Sequence, residues 1–141
     1  SYDDLSAFKI YLSDVGLLRE LAGLPAEVVL SGNATYTEFK GALAENYVLQ
    51  SLVCQLEILP RYWASVGKAE VDFVIQMGVN IVPVEVKSDT RLGGKSLSVY
   101  DLNYKPAYKV RYSLNNLKKD GNLINIPLYL ADWTTKLVSI Q

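Results

Sequence analysis

Two short runs decide the fold: E-V-D-F-V-I at residues 70–75 and I-V-P-V-E-V-K at 81–87. Both alternate as β-strands do, with successive side chains on opposite faces. Glu70, Asp72 and Val74 share one face of the first run, and Pro83, Glu85 and Lys87 share one face of the second. The opposite faces, Val71/Phe73/Ile75 and Val82/Val84/Val86, are purely apolar and form the core side. Between the runs lies Gln76-Met77-Gly78-Val79-Asn80. A two-residue II′ turn at Gly78-Val79, with glycine at positive φ, makes the runs a hairpin. Met77 then faces Asn80, Asp72 lies across from Glu85, and Glu70 lies across from Lys87. A one-residue slip would destroy the match of apolar faces.

Directly opposed carboxylates destabilise a sheet, so the Asp72/Glu85 pair needs a counter-charge. A hard divalent cation held by carboxylate oxygens is one source. The Lys87 ammonium is another. Composition limits the chemistry further. The chain of 141 residues contains no histidine and a single cysteine, Cys54. His-based catalysis, His-ligated zinc, internal disulfides and cysteine clusters are thereby excluded. Any metal is held by oxygens, which favours Mg²⁺, Mn²⁺ or Ca²⁺. Cys54 lies in an apolar helical stretch and reads as buried packing.

The length suits one domain, and a chain that is 50% hydrophobic and 21% charged can build a core. No apolar run approaches the ~18 residues of a membrane span, and no signal peptide is visible, so a cytoplasmic protein is expected. Ser1 in place of methionine, followed at once by a periodic segment, suggests the C-terminal fragment of a longer protein. Net charge is −1. Residues 87–119 carry eight basic side chains against two acidic ones, leaving the remainder negative. A basic half beside an acid pair suits a phosphate polymer; a solvated face with lysines at helix ends is the alternative.

Along the chain, Leu5, Phe8, Leu12, Val15 and Leu18 predict a helix over 4–21, ended by Gly23 and Pro25. Residues 1–36 read as a helical N-terminal extension to the core, with a turn at Ser31-Gly32-Asn33. Thr37 is the expected N-cap of a helix over about 38–56. Its inner stripe is Phe39, Ala42, Glu45, Leu49, Leu52 and Leu56. Glu45 therefore sits within an apolar stripe and needs a partner, because an unpaired buried carboxylate is expensive. A strand at Ile58–Ser65 enters the hairpin through a turn at 66–68. After Lys87 come a loop over 88–94, a helix at about 95–104, an alternating strand at Ala107–Leu114 and a polar turn region at 115–122. The apolar ends 126–130 and 137–140 fit strand or helix. Pro83 should mark a strand start or a bulge. Tyr100, Tyr104, Tyr108 and Tyr112 read as core-edge residues with surface hydroxyls, and Trp63 and Trp133 as packing. The expected class is α/β, a central mixed sheet flanked by helices in three layers.

A helix glutamate, an aspartate on one strand and E-x-K on the next resemble the PD-(D/E)xK phosphodiesterase superfamily, the restriction-endonuclease-like fold, and the core order α-β-β-β-α-β is similar. More closely, F-K-I-Y-L-S-D-V-G-L-L (8–18), F-K-G-A-L-A-E-N-Y-V (39–48), A-E-V-D-F-V-I (69–75), V-E-V-K-S (84–88) and S-L-N-N … D-G-N … N-I-P-L-Y (113–129) resemble a domain of unknown function. That domain is usually attached to the C-terminus of prokaryotic AAA-type ATPases. The resemblance implies a metal-dependent nuclease in which Asp72, Glu85 and the Val86 carbonyl bind Mg²⁺ or Mn²⁺. Lys87 positions or activates the attacking water, and Glu45 holds the site or serves as an outer ligand. Lys68 or Ser65 would touch phosphate. Implied partners are nucleic acid, DNA before RNA, and an N-terminal ATPase domain; a homo-oligomer is compatible, and a membrane is not expected. Val71 replaces the proline of the motif. No G-x-x-x-x-G-K-[ST] occurs, so this stretch carries no P-loop of its own. The alternative is a non-catalytic module of the same fold that binds nucleic acid or protein and regulates the ATPase, its acid–lysine cluster being structural.

Overall fold

The computed structural model describes residues 8–31, 34–66, 69–90 and 95–139. The elements run α1 (Val15–Leu21), α2 (Ala26–Ser31), α3 (Ala34–Val53), β1 (Arg61–Ala64), β2 (Glu70–Met77), β3 (Asn80–Val86), α4 (Ser96–Tyr104), β4 (Lys109–Ser113), β5 (Lys118–Asp120) and β6 (Leu123–Pro127). A 3₁₀ turn (Leu128–Trp133) and α5 (Thr134–Ser139) complete the order. The described strands form one mixed six-stranded sheet, β1-β2-β3-β4-β6-β5. The protein is therefore α/β, as expected.

The β2–β3 hairpin adopts the expected register, with Phe73↔Val84, Ile75↔Val82 and Met77↔Asn80. Gly78 makes the turn at φ +59°. Pro83 sits inside β3, at neither a strand start nor a bulge. It pairs with Val74, and the parallel ladder to β4 begins only at the next residue, Val84↔Val110. Its missing N–H falls where β3 has a neighbour on one side only.

One part of the expected pattern fails. Between β1 and β2 the register shifts from Arg61↔Val74 to Trp63↔Val71. Asp72 and Phe73 thus stand against the single residue Tyr62, which is a bulge. Alternation breaks there. Val71 packs with Leu97, Tyr100 and Val74 on the α4 side, while Phe73 and Ile75 join Val82, Val84, Val86, Val110, Tyr112, Ile124 and Ile126 in the main core against α3. Both sheet faces are covered, so neither is a free polar face.

The N-terminal region is less helical than expected. Residues 8–12 are not helical, and α1 starts only at Val15, with the Asp14 carboxylate capping Leu17 N at 2.9 Å. The cause lies in α3. The Asn46 amide accepts from Leu12 N at 2.8 Å and donates to Leu12 O at 3.1 Å, and Gln50 Oε1 accepts from Val15 N at 3.0 Å. These bonds replace the helical ones. A short helix, α2, occupies the stretch without clear periodicity, and α3 begins at Ala34, so Thr37 lies inside it. The buried positions of α3 are Ala44, Asn46, Val48, Ser51 and Leu52; of the expected stripe, Phe39 is exposed and only Leu52 is fully buried. Helical spacing found the helix but not its face, because α3 buries one side on the sheet and another under residues 8–15.

Four further expectations change. Cys54 is exposed. Trp133 is half exposed, under the Lys136 ammonium at 4.5 Å. Tyr112 is fully buried with its hydroxyl on Thr134, whereas Tyr104 is exposed. The polar region 115–122 contains β5, paired to β6 around Gly121 at φ +59°. The Ser31-Gly32-Asn33 turn, Lys68, the Gly93-Gly94 break and residues 4–7 of the expected helix fall wholly or partly outside the described residues. Among those described, no helix is long and apolar enough to cross a membrane.

Asn46→Ala removes both bonds to Leu12. We expect a loss of about 2 kcal/mol in urea unfolding, with fast amide exchange at Leu12. Leu52→Ala, in the main core, is expected to cost about 2–5 kcal/mol by the same measurement, with Leu12 still protected.

Candidate functional site

The hairpin brings Asp72 to the point where β2 and β3 part. Its Oδ2 accepts the Val86 amide at 2.7 Å, a bond that takes the place of a ladder bond at the hairpin's open end. Burial raises the Asp72 pKa to about 6; the Val86 amide opposes that rise, Glu45 adds to it, and Lys9 and Lys87 oppose it. Burial, more than neighbouring charge, is what disfavours the ionised form of this carboxylate.

Glu85 is in a different situation. It alternates with Val84 and Val86 and so points away from the α3 core. It is buried, 2% exposed, beside its parallel neighbour Arg111. Arg111 Nε donates to Glu85 Oε2 at 2.8 Å, and Lys87 Nζ lies 3.4 Å from Oε1. Each Glu85 oxygen therefore has a cation. Asp72 and Glu85, opposite in sequence register, are held by different partners.

Glu45 is half-buried on α3, and its partner is the Tyr11 hydroxyl, which donates to Oε2 at 3.2 Å. Burial, then Glu45, raises the Tyr11 pKa and keeps the phenol protonated. Glu70, expected opposite Lys87, forms its ion pair with Lys9. Burial pulls the Lys9 pKa down, but Glu70, Glu45 and Asp72 outweigh it, and the net shift is upward. Lys9 and Tyr11 are thus members of the cluster that the sequence reading missed. The signal was present: in F-K-I-Y, Phe8 and Ile10 are exposed while Lys9 and Tyr11 turn inward, the two-residue period of an extended segment. The helical spacing of Phe8 and Leu12 masked it.

The Ser65 Oγ accepts from Ala69 N at 2.9 Å in the β1–β2 connection. Of the basic residues in 87–119, Lys87 and Arg111 bind Glu85, and Lys109 binds Asp101 at 2.8 Å. Three of those eight basic side chains are thus committed to internal pairs.

Among the described residues no group of three or more Asp, Glu or Cys side chains is gathered to hold a metal. The expected set has only two side chains plus a carbonyl. Its donor chemistry fits a hard cation at Asp72, whose carboxylate oxygens are hard ligands although one already accepts the Val86 amide. At Glu85 the fit requires a carboxylate oxygen already facing Lys87 or Arg111.

Residues 40–130 match the family described as a domain of unknown function (DUF4143), and the chain belongs to that family. No curated protein matches it.

Two outcomes follow from this charge arrangement. In EDTA, folded Asp72 keeps its proton up to about pH 6, whereas the unfolded chain releases it near 3.8. The folded state binds more protons in that window, so stability falls as pH rises from about 4 to 6, by on the order of 2 kcal/mol. Asp72→Asn should match wild type near pH 3.5 and exceed it at pH 8 in urea unfolding. Arg111→Met leaves Glu85 buried without its main cation and should cost about 3–5 kcal/mol; Arg111→Met with Glu85→Met should recover most of that loss.

Proposed function

We propose that this domain is a metal-dependent nuclease of the PD-(D/E)xK type, hydrolysing phosphodiester bonds in DNA or RNA, with DNA favoured. Support comes from one observation above all. The hairpin register carries Asp72 and Glu85 on adjacent strands, with the Lys87 ammonium 3.4 Å from Glu85 and the charge of Glu45 acting on Asp72. The order α3-β1-β2-β3-α4-β4 around it is the order that a restriction-endonuclease-like reading expects. Asp72, Glu85 and the Val86 carbonyl would hold Mg²⁺ or Mn²⁺. Once bound, the ion would supply Lewis-acid stabilisation of the phosphoryl oxygens and a more acidic water. Lys87 would position the attacking water and offer positive charge to the developing oxyanion. Glu45 orients the site from α3. Members of the family commonly accompany AAA-type ATPases, which makes an attached ATPase the natural partner and supports a cytoplasmic, DNA-associated setting.

One observation favours a second reading. Glu85 is buried against Arg111 at 2.8 Å, an arrangement that serves a structural network without any metal. On that reading the domain is a non-catalytic module of the same fold, binding nucleic acid or protein and regulating the ATPase.

Calorimetry with Mn²⁺ and Mg²⁺, followed by cleavage of single- and double-stranded DNA, separates the two. The nuclease reading expects metal binding in wild type and none in Asp72→Ala/Glu85→Ala. It also expects Lys87→Ala to keep its metal affinity and its fold while losing about 100-fold or more in cleavage. The structural reading expects no binding at millimolar metal, and a Lys87→Ala protein that is chiefly less stable.

A further inference from the structure

Residues 8–14 are more than a lead into α1. Three hydrogen bonds from two α3 side chains, Asn46 and Gln50, fix the backbone at Leu12 and Val15. With that anchor set, the two-residue alternation sends Lys9 and Tyr11 inward and leaves Phe8 and Ile10 outside. The Tyr11 ring packs on Phe73 at 5.7 Å between centroids, and its hydroxyl reaches Glu45. Lys9 pairs with Glu70 and sits 5.4 Å from the centre of the Tyr62 ring. Lys9 and Tyr11 line two neighbouring cavities at once. One, of about 210 Å³, contains Asp72; the other, of about 280 Å³, contains Glu45. The pair stands between the two carboxylates assigned to the candidate site.

We propose that Lys9 and Tyr11 are positioning residues of this site: the Tyr11 hydroxyl fixes the Glu45 carboxylate, and the Lys9 ammonium is the resident counter-cation of Glu45, Glu70 and Asp72. This rests on the nuclease reading. The two side chains act in opposite senses on an incoming divalent ion. Tyr11 pre-orders an acceptor without adding charge. Lys9 places a positive charge in the same field and competes with the ion. An ammonium several ångströms from a divalent cation in a partly buried site changes its affinity by on the order of tenfold. A segment that only packs would shift both variants in the same direction, in step with their loss of stability.

The experiment is a Mn²⁺ binding isotherm by calorimetry, with a melting curve for each protein, on wild type, Lys9→Met, Lys9→Arg and Tyr11→Phe. The proposal expects Lys9→Met to bind Mn²⁺ on the order of tenfold more tightly, Lys9→Arg to stay near wild type, and Tyr11→Phe to bind several-fold more weakly. Unchanged affinities in Lys9→Met and Tyr11→Phe overturn it. So does weakening in both that tracks their melting temperatures. Wild type that binds no Mn²⁺ overturns the nuclease reading and this assignment together, and that failure is read from the wild type alone.

Discussion

The register of the β2–β3 hairpin is the constraint on which the remaining geometry depends. Gly78 sets the turn, and Phe73, Ile75, Val82 and Val84 lock it by meeting in the core against α3. A shift of one residue would carry these side chains to the opposite layer, a penalty of several buried aliphatic groups at ~1.5–3 kcal/mol each. With the register fixed, the end of the hairpin is fixed too, and with it the place where the Asp72 carboxylate takes the Val86 amide. The bulge at Asp72–Phe73 then turns this one acid toward α3, while Glu85, on the unbulged strand, stays with Arg111. Two carboxylates that face each other on paper end in different electrostatic surroundings.

Those surroundings organise the rest of the domain. On the side of Arg111 the charges are buried and closely paired, and they bind β3 to β4. On the side of Asp72 three carboxylates share Lys9 and the reach of Lys87. A closely paired buried couple thus lies next to a looser, partly buried charge cluster.

The hairpin, its register and its turn were legible because a period of two and a glycine at a turn admit few alternatives. So were α4 and the α/β class. The bulge was not, because it depends on how β1 pairs, and nothing in R-Y-W-A announces which residue of β2 is extra. The non-helical run at 8–12 was misread because Phe8, Leu12 and Val15 satisfy helical spacing, while the competing bonds come from Asn46 and Gln50, more than thirty residues away. The face of α3 was misjudged for the same reason: the covering segment was itself taken for a helix. At the site, Lys87 stands at Glu85 as expected, whereas the second cation of Glu85, Arg111, and the partner of Glu70, Lys9, were missed. Arg111 reaches Glu85 through a parallel crossover that local sequence does not encode.

The sheet ends on one side at β5, whose residues Lys118, Lys119 and Asp120 are all exposed. Three residues offer few open backbone groups, and two lysines surround those groups with positive charge that a second copy of the strand would have to approach. This border of the sheet thus resists being extended edge to edge by a second copy of the chain.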